Sequence, residues 1–294
     1  MKPKIVIAGG TGFLGNYLEK KFKDDGYEVI IISRASGIQW KDFDGIVNAL
    51  NGAAMVINLA GKSVNCRYSE INRKLILNSR IETTATIGRA IAVCQAPPPL
   101  WLNASSATIY RDEKDRPNTE YDGKYGEGFS VGVAMKWEET FYEIALPSTR
   151  RCALRISIVL GKSGGVFPVY RNLVKTGLGG KQGNGKQMFS WIHIEDVYRA
   201  IHFILENKNI DGPVNMAAPE PVTNEVLMKS LRKSFNMPFG LPSPALLLEM
   251  GAVLIGTETE LILKSRWVVS KKLSEAGFHF QYPDLKSALD ELTI

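Results

Sequence analysis

Lys4 to Ala8 is a short run dominated by β-branched apolar residues. Such a run predicts a strand buried on both faces. From Phe13 to Phe22 the apolar positions recur with the spacing of an amphipathic helix, and Gly9, Gly10, Thr11 and Gly12 separate the two. Further apolar runs predict strands at Glu28 to Ser33, Met55 to Leu59, Leu100 to Ala104 and Cys152 to Val159. Helical spacing covers about 69 to 94, where Pro97, Pro98 and Pro99 end it, and Val131 to Ala145. Residues 111 to 130 are rich in Asp, Glu, Gly and Lys and predict a surface loop. Strands alternate with helices over residues 4 to 160, which predicts an α/β fold with a parallel sheet covered on both faces.

The second half breaks this alternation. Gly161 to Gly185 is rich in glycine and lysine, and the strand-like FSWIHIEDV follows, with Asp196 expected to cap the next helix. Val214 to Ala217 reads as a short strand and Thr223 as the N-cap of another helix. Helices are expected near 244 to 255 and 284 to 292. The pattern predicts two domains, one from residues 1–165 and 190–218, and a smaller one from 166–189 and 219–294 that closes over the sheet edge.

The glycine turn carries the first chemistry. A strand that feeds a glycine turn and then a helix gathers free backbone N–H groups and the positive end of a helix dipole, which suits phosphate. Gly9 is expected to make the tight turn, Gly12 to let a pyrophosphate approach, and Gly15 to let helix and strand pack closely. The second strand then ends in Ser33 and Arg34, where an NAD site usually carries Asp or Glu. A guanidinium clamps a 2′-phosphate and a carboxylate repels it, so NADP is expected over NAD. Leu59, Ala60 and Gly61 end the Met55 strand with small residues suited to a ligand across the sheet edge.

Composition narrows the partners. At 294 residues, with 45% apolar and 22% charged positions, the chain can bury a full core. Its net charge of +6 is spread along the sequence, which suits an anionic ligand and disfavours nucleic acid. Cys66, Cys94 and Cys152 are sparse and odd in number, as expected in a reducing cytosol. With a strand expected from the fourth residue, no secretory leader is expected. The apolar stretch from Ala245 to Ile255 is too short for a bilayer span and contains Glu249, so no membrane partner is expected. His193, His202 and His279 have no metal spacing, and His193 is expected to be a packed structural residue.

Several stretches together resemble one family. GGTGFLG, NLAG, SSATIY, LRISIVLG, GNGKQMFSWIHIEDV and GPVNMAAPEPVTN occur in the order found in the extended short-chain dehydrogenase/reductase superfamily, the nucleotide-sugar epimerases and dehydratases. SRIETT and the tail from LPSPALLLEMGAVLIG to LKSALDEL resemble its "epimerase family" subgroup, which has a distinct C-terminal domain. The resemblance implies a Rossmann-type doubly wound parallel sheet, NADP, and a small-molecule substrate such as a nucleotide sugar in a cleft between domains. It implies cofactor contacts at Gly9, Thr11, Gly12, Phe13, Leu14, Gly15, Ser33, Arg34, Leu59, Ala60, Gly61, Arg80, Ser105, Lys136, Ser157 and Val159. Members often pair through two helices, so a homodimer is one expected assembly.

The family's chemistry uses a tyrosine as acid/base, a lysine four residues later, and a serine or threonine on the substrate oxygen. A phenol titrates near pH 10, and the neighbouring ammonium favours its ionised form at neutral pH. Ser106 matches the serine and Lys136 the lysine, but Gly132 stands where the tyrosine belongs. Tyr121 and Tyr125, in the loop before the helix, are the substitutes considered. Two functions stay open: an NADP-dependent oxidoreductase of epimerase type, and a non-catalytic NADP-binding sensor or interaction protein.

Overall fold

The computed structural model describes residues 2–113, 115–244 and 263–294. Seven strands form one sheet, all parallel, in the order β11-β6-β5-β4-β1-β2-β3. They are β1 (Lys4–Ala8), β2 (Glu28–Ser33), β3 (Ile38–Gln39), β4 (Met55–Asn58), β5 (Leu100–Ser106), β6 (Arg150–Ile156) and, later in the chain, β11 (Gly212–Met216). Chain order runs outward from β1 in one direction and restarts at β4 on its other side. That reversal leaves a crevice beyond the carboxyl ends of β1 and β4, where doubly wound sheets take ligands.

Helices α1 (Phe13–Asp24), α2 (Phe43–Leu50), α3 (Glu70–Val93) and α4 (Phe129–Glu143) connect these strands. Ile5 and Ile7 face one apolar layer with Leu18 and Phe22 of α1. Val6 and Ala8 face the other, with Ile46 of α2 and Ile87 and Ile91 of α3. Alternate residues of one strand therefore enter opposite cores, which explains the unbroken apolar run.

The strand expected over Cys152 to Val159 is two strands. Ser157 breaks it: its N–H and its hydroxyl both donate to the Met216 carbonyl, at 3.1 and 2.7 Å. Beyond it β7 (Ile158–Gly161) joins β8 (Gly164–Gly165) and β10 (Trp191–His193) in a separate three-stranded sheet. The glycine- and lysine-rich segment contains an unforeseen helix, α5 (Phe167–Lys175), with Pro168 in its first turn. β9 (Met188–Phe189) pairs with β12 (Val222–Thr223), and α6 (Ile194–Glu206) and α7 (Asn224–Ser234) follow β10 and β12.

A third apolar cluster joins Phe167, Tyr170 and Val174 of α5 to Leu227 and Leu231 of α7 and to Leu285, Leu289 and Leu292. The last three lie on α9 (Leu285–Thr293), and α8 (Lys271–Glu275) precedes it. The helix expected over 244–255 lies, apart from Pro244, outside the described residues.

Thr223 caps α7, its hydroxyl accepting from Val226 N–H at 3.3 Å. Asp196 does not cap α6. His193 does, its Nδ1 accepting from Glu195 N–H at 3.2 Å. Asp196 instead sits fully buried in the first turn and accepts from the N–H groups of Gln281 and Tyr282, at 2.7 and 2.9 Å.

Candidate functional site

The site begins where β1 meets α1. Gly9 has φ +76°, and a Cβ there would lie 2.7 Å from the backbone of Ala60 at the end of β4. Gly9 therefore supplies both the left-handed turn and the close approach of two strand ends. A Cβ at Gly15 would lie 2.5 Å from the Gly10 carbonyl oxygen, so that glycine lets α1 press on the turn. Gly12 is different: a Cβ there would meet only the Gly9 carbonyl, at 3.9 Å. Gly12 is the N-cap of α1, with no side chain capping the helix and no acid in its first turn. Its open side faces a helix end whose N–H groups suit an anion. Gly9→Ala should destabilise the protein by about 1–3 kcal/mol through strain and overpacking, read as a lower Tm.

From this turn a groove of about 730 Å³ runs along the sheet edge. Gly9, Thr11 and Gly12 line one wall and Leu59, Ala60 and Gly61 the other. Ser33, Arg34, Trp40 and Lys41 close one end, and Ser79, Glu82, Thr83 and Thr86 of α3 line a flank. The Ser33 hydroxyl accepts from Ala35 and Ser36 N–H, at 3.1 and 2.9 Å, and donates to the Ser36 carbonyl at 2.6 Å. It thus shapes the loop that presents Arg34. The glycine wall and basic end of this groove suit an anionic ligand.

Beside it lies a second, smaller cavity of about 250 Å³. Its wall includes Ser105 and Ser106 from the end of β5, Tyr68, Arg80 and Ile76, and Arg266. Arg80 stands between the two spaces. A Cβ on Gly61 would lie 3.1 Å from the Arg80 Cζ, so glycine leaves room for the guanidinium. Arg80 Nη1 donates to the carbonyls of Lys62 and Ile76, at 3.1 and 2.8 Å. Its Cζ lies 5.0 Å from the centre of the Trp137 ring. Burial pushes its pKa down to about 10.

Trp137 is fixed from beneath. Its Nε1 donates to Thr84 Oγ1 at 2.9 Å, and that hydroxyl donates to Asn103 Oδ1 at 3.3 Å. Asn58 and Asn103 are register partners on β4 and β5, and Asn58 Nδ2 donates to Asn103 Oδ1 at 2.7 Å. Every polar group of this buried set is therefore engaged, and the set locks the indole in place.

A second buried network lies behind Ser105. The Ser105 hydroxyl donates to Glu138 Oε1 at 2.6 Å. Arg155 grips the same carboxylate with two bonds, Nε to Oε1 at 2.8 Å and Nη2 to Oε2 at 2.7 Å. Arg155 Nη1 donates to Tyr110 Oη at 2.7 Å, and Tyr110 donates to Asn215 Oδ1 at 2.9 Å. Burial, only partly offset by Arg155, pushes the Tyr110 phenol up to about 12. Tyr125 Oη accepts from Arg155 Nη2 at 3.0 Å.

The structure brings Gly9, Thr11, Gly12, Ser33, Arg34, Leu59, Ala60 and Gly61 to the outer groove, and Arg80, Ser105 and Ser106 to the inner cavity. Ser106 Oγ accepts from Thr108 N–H at 3.2 Å. Phe13 packs against Gly161, Gly164 and Gly165, and Leu14 against the main core. Ser157 and Val159 line neither space. Ser157 is spent on Met216, and Val159 packs on the main core.

Lys136 is not brought to Ser106. The face of α4 that lines the inner cavity carries Phe129, Ser130, Val133, Ala134 and Trp137. Lys136 lies on the outer flank, 51% exposed, with its ammonium 2.9 Å from Glu139 Oε2. Gly132 is also outside, with nothing within 4 Å of its would-be Cβ. On this helix the pairs four residues apart that line the cavity are Phe129/Val133, Ser130/Ala134 and Val133/Trp137, and none is a tyrosine with a lysine. Tyr121 and Tyr125 do not line the cavity either.

Tyr68 and Arg266 are among the lining residues that the sequence reading does not single out. Tyr68 lies in the loop before α3, and Arg266 lies in the irregular segment before α8 and donates from Nε to Thr108 Oγ1 at 3.0 Å. Neither belongs to a periodic stretch that would have marked it. Among the described residues no helix is long and apolar enough to cross a membrane. Among them, too, no three His, Cys, Asp or Glu side chains are grouped to hold a metal ion.

Comparison with known proteins bears on this geometry. The model of the NAD dependent epimerase/dehydratase family matches residues 5–217, and a domain of unknown function, DUF1731, matches residues 243–292. The chain is 33% identical to the epimerase family protein YfhF of Bacillus subtilis, over 98% of this chain and 97% of that one. Among solved structures it is similar to human epimerase family protein SDR39U1 (isoform 2), crystallised with NADPH. The TM-score is 0.90 and the identity 28%, over 99% of each chain. A nucleoside-diphosphate sugar epimerase from Corynebacterium glutamicum matches with a TM-score of 0.81 and 25% identity, over 100% of this chain and 59% of that one.

Proposed function

The chain belongs to the NAD dependent epimerase/dehydratase family, and from that premise we propose that it is an NADP(H)-binding protein of oxidoreductase or epimerase type. The observation that carries this reading is one continuous groove lined by Gly9, Gly12, Arg34 and Leu59 to Gly61. In it the first N–H groups of α1 would hold the pyrophosphate. Arg34 and Lys41 would hold the 2′-phosphate, and Leu59 to Gly61 would form the floor. The human relative crystallised with NADPH supports the choice of cofactor. When bound, the nicotinamide supplies or accepts hydride.

Ser106, on the wall of the inner cavity, would bond the substrate oxygen. Lys136 receives no role, because Glu139 holds it on the far flank of α4. The third apolar cluster, around α5, α7 and α9, supports reading residues 166–189 and 219–294 as a unit that shapes the substrate side.

A second reading is favoured by one observation. With Phe129, Ser130, Val133, Ala134 and Trp137 on the cavity face of α4, that helix offers neither the family's tyrosine nor its lysine there. A protein that binds NADP(H) without turnover would need neither. The test has two stages. Titration of the protein against NADPH, by its fluorescence, should give saturable binding; no binding would end both readings. The loaded protein, offered small carbonyl compounds and nucleotide sugars with analysis of products, should then convert at least one. Binding without any conversion would leave the sensor.

A further inference from the structure

We infer that His193 is a pH-sensitive positioning residue: as a neutral N-cap it holds the first turn of α6, and through that turn the seat of α1 at the outer groove, and acid loosens both. The cofactor half of this rests on the proposal that the pyrophosphate sits at the N-terminus of α1; the capping half does not. The bonds of the ring fix its protonation state. Nδ1 accepts from Glu195 N–H at 3.2 Å, so it carries no hydrogen. A neutral imidazole then has its hydrogen on Nε2, which donates to Glu291 Oε2 at 3.1 Å. Both nitrogens are engaged, and the side chain is 4% exposed.

The turn that His193 caps is a junction, in which Ile194, Glu195 and Asp196 each tie a different element. A Cβ on Gly161, at the end of β7, would lie 3.2 Å from Ile194 Cγ2 and 2.7 Å from Phe13 Cζ, so Ile194 and the Phe13 ring both close on that glycine. Phe13 opens α1, directly after Gly12. Glu195 accepts from Tyr17 Oη and lies 2.9 Å from Lys21 Nζ, both on α1. Asp196 accepts from the N–H groups of Gln281 and Tyr282, ahead of α9. A helix end that loses its cap leaves N–H groups without partners and frays. Fraying at this end would slacken α1, the β7–β8 hairpin and the tail together.

Protonation would put a second hydrogen on the ring, at Nδ1, facing the Glu195 N–H. Two donors cannot bond each other, and the positive end of the α6 dipole opposes the new charge. The surrounding charges oppose this effect in part. Glu291 of α9 and Glu195 and Asp196 of α6 favour the imidazolium. Each of these is already engaged by a cation: Glu291 by Lys162 of the β7–β8 turn at 3.0 Å, Glu195 by Lys21 of α1, and Asp196 by Arg199 at 3.3 Å. The Tyr282 ring covers the imidazole at 4.0 Å between centres. Burial outweighs the carboxylates and pushes the His193 pKa below the ordinary histidine value. The unfolded chain therefore takes up this proton first. The stability that the neutral ring supports is intact above about pH 6.5 and declines as the pH falls from there to the folded value.

The test compares the parent protein with His193→Asn and His193→Ala from about pH 7.5 to about pH 5.5. Asparagine caps a helix and does not titrate, whereas alanine cannot cap. In the NMR spectrum of the parent, the assigned His193 ring signal should titrate below about pH 6.5. Over the same range the parent Tm should fall by roughly 2–8 °C more than that of His193→Asn, the scale of one helix cap in a large domain. His193→Ala should melt below the parent at the neutral end and show no such extra fall.

Affinity for NADP⁺ is then measured at both ends of the range, and within each protein the acid value is divided by the neutral one. The 2′-phosphate itself gains a proton near about pH 6, which lowers every ratio alike. The parent's ratio should fall about fivefold or more beyond that of His193→Asn, the low end of coupling between linked sites. Equal ratios would overturn the inference. So would a His193 signal that titrates at or above about pH 6.5, or an equal fall in Tm for the parent and His193→Asn. If His193→Asn does not fold, the parent's own titration decides, together with the nitrogen shift of Nδ1 as an unprotonated acceptor. If the parent does not bind NADP⁺ at the neutral end, the groove reading fails instead, and the melting and NMR results still decide the cap.

Discussion

Arg34→Glu should cost the protein its affinity for NADPH, by about 100-fold or more, and leave NADH binding within about threefold. Arg34 is exposed at the basic end of the outer groove, beside Lys41 and Trp40. A hydrogen bond to a charged group contributes about 1.5–3 kcal/mol, which alone is roughly 10- to 150-fold. Reversing the charge adds repulsion between the new carboxylate and a 2′-phosphate, which costs several kcal/mol more. NADH has a hydroxyl at that position, and a carboxylate there accepts a bond from it. The substitution lies in a solvent-facing loop whose shape is set by Ser33 rather than by Arg34, so the fold should be unaffected. Fluorescence titration with both reduced cofactors checks it. Equal loss for NADH and NADPH would mean that Arg34 meets a part common to both, and no loss would remove it from the site.

The dinucleotide-type strand–turn–helix is legible in the sequence because it sits in a short local pattern. A strand, three glycines, a helix, and a second strand ending in Ser33 and Arg34 all lie within the first 34 residues. Each glycine's role follows from backbone sterics, and the structure gives Gly9 and Gly15 the close contacts that pattern requires. The parallel sheet is legible for the same reason, since apolar runs of strand length alternate with helical spacing.

What motif spacing could not supply is the face that a helix turns inward. Lys136 stands at the family's lysine position in a matched motif, yet Val133, Trp137 and Phe141 form the stripe, four residues apart, that α4 buries. Phe141 packs edge-on to Trp101 at 4.6 Å and Trp137 bonds Thr84, and these contacts set the rotation. The stripe was present in the sequence as an apolar period, and it outweighs a single polar motif position. Tyr68 and Arg266 reach the cavity from irregular segments, where no period gives a direction. The break at Ser157 depends on a carbonyl of Met216, far along the chain. Long-range hydrogen bonds of that kind leave no local mark.

Glu138→Ala should destabilise the protein more than any other single change considered, by about 3–5 kcal/mol. Its side chain is 10% exposed and that of Arg155 is 2% exposed, so removal of the carboxylate leaves a guanidinium that water cannot reach. Burial by itself pushes the Arg155 pKa down, but the bonds and charge of Glu138 more than reverse this and hold it above the usual arginine value. Without Glu138 the burial cost is opposed only by the Tyr110 and Tyr125 hydroxyls, which carry no full counter-charge, and Ser105 loses its acceptor as well. At about 2–4 °C per kcal/mol for a chain approaching this size, Tm should fall by roughly 6–20 °C.

Glu139→Ala is the matched control: it removes the neighbouring carboxylate and the exposed pair with Lys136, and should change stability by at most about 0.5 kcal/mol. NADPH affinity should survive Glu138→Ala at temperatures where the protein stays folded, because Glu138 lines neither the groove nor the cavity. A small shift in Tm for Glu138→Ala would mean that Arg155 finds water or another acceptor when its partner is gone. The buried pair would then be a local contact rather than the clamp between α4 and β6 that keeps Ser105 and Ser106 at the cavity wall.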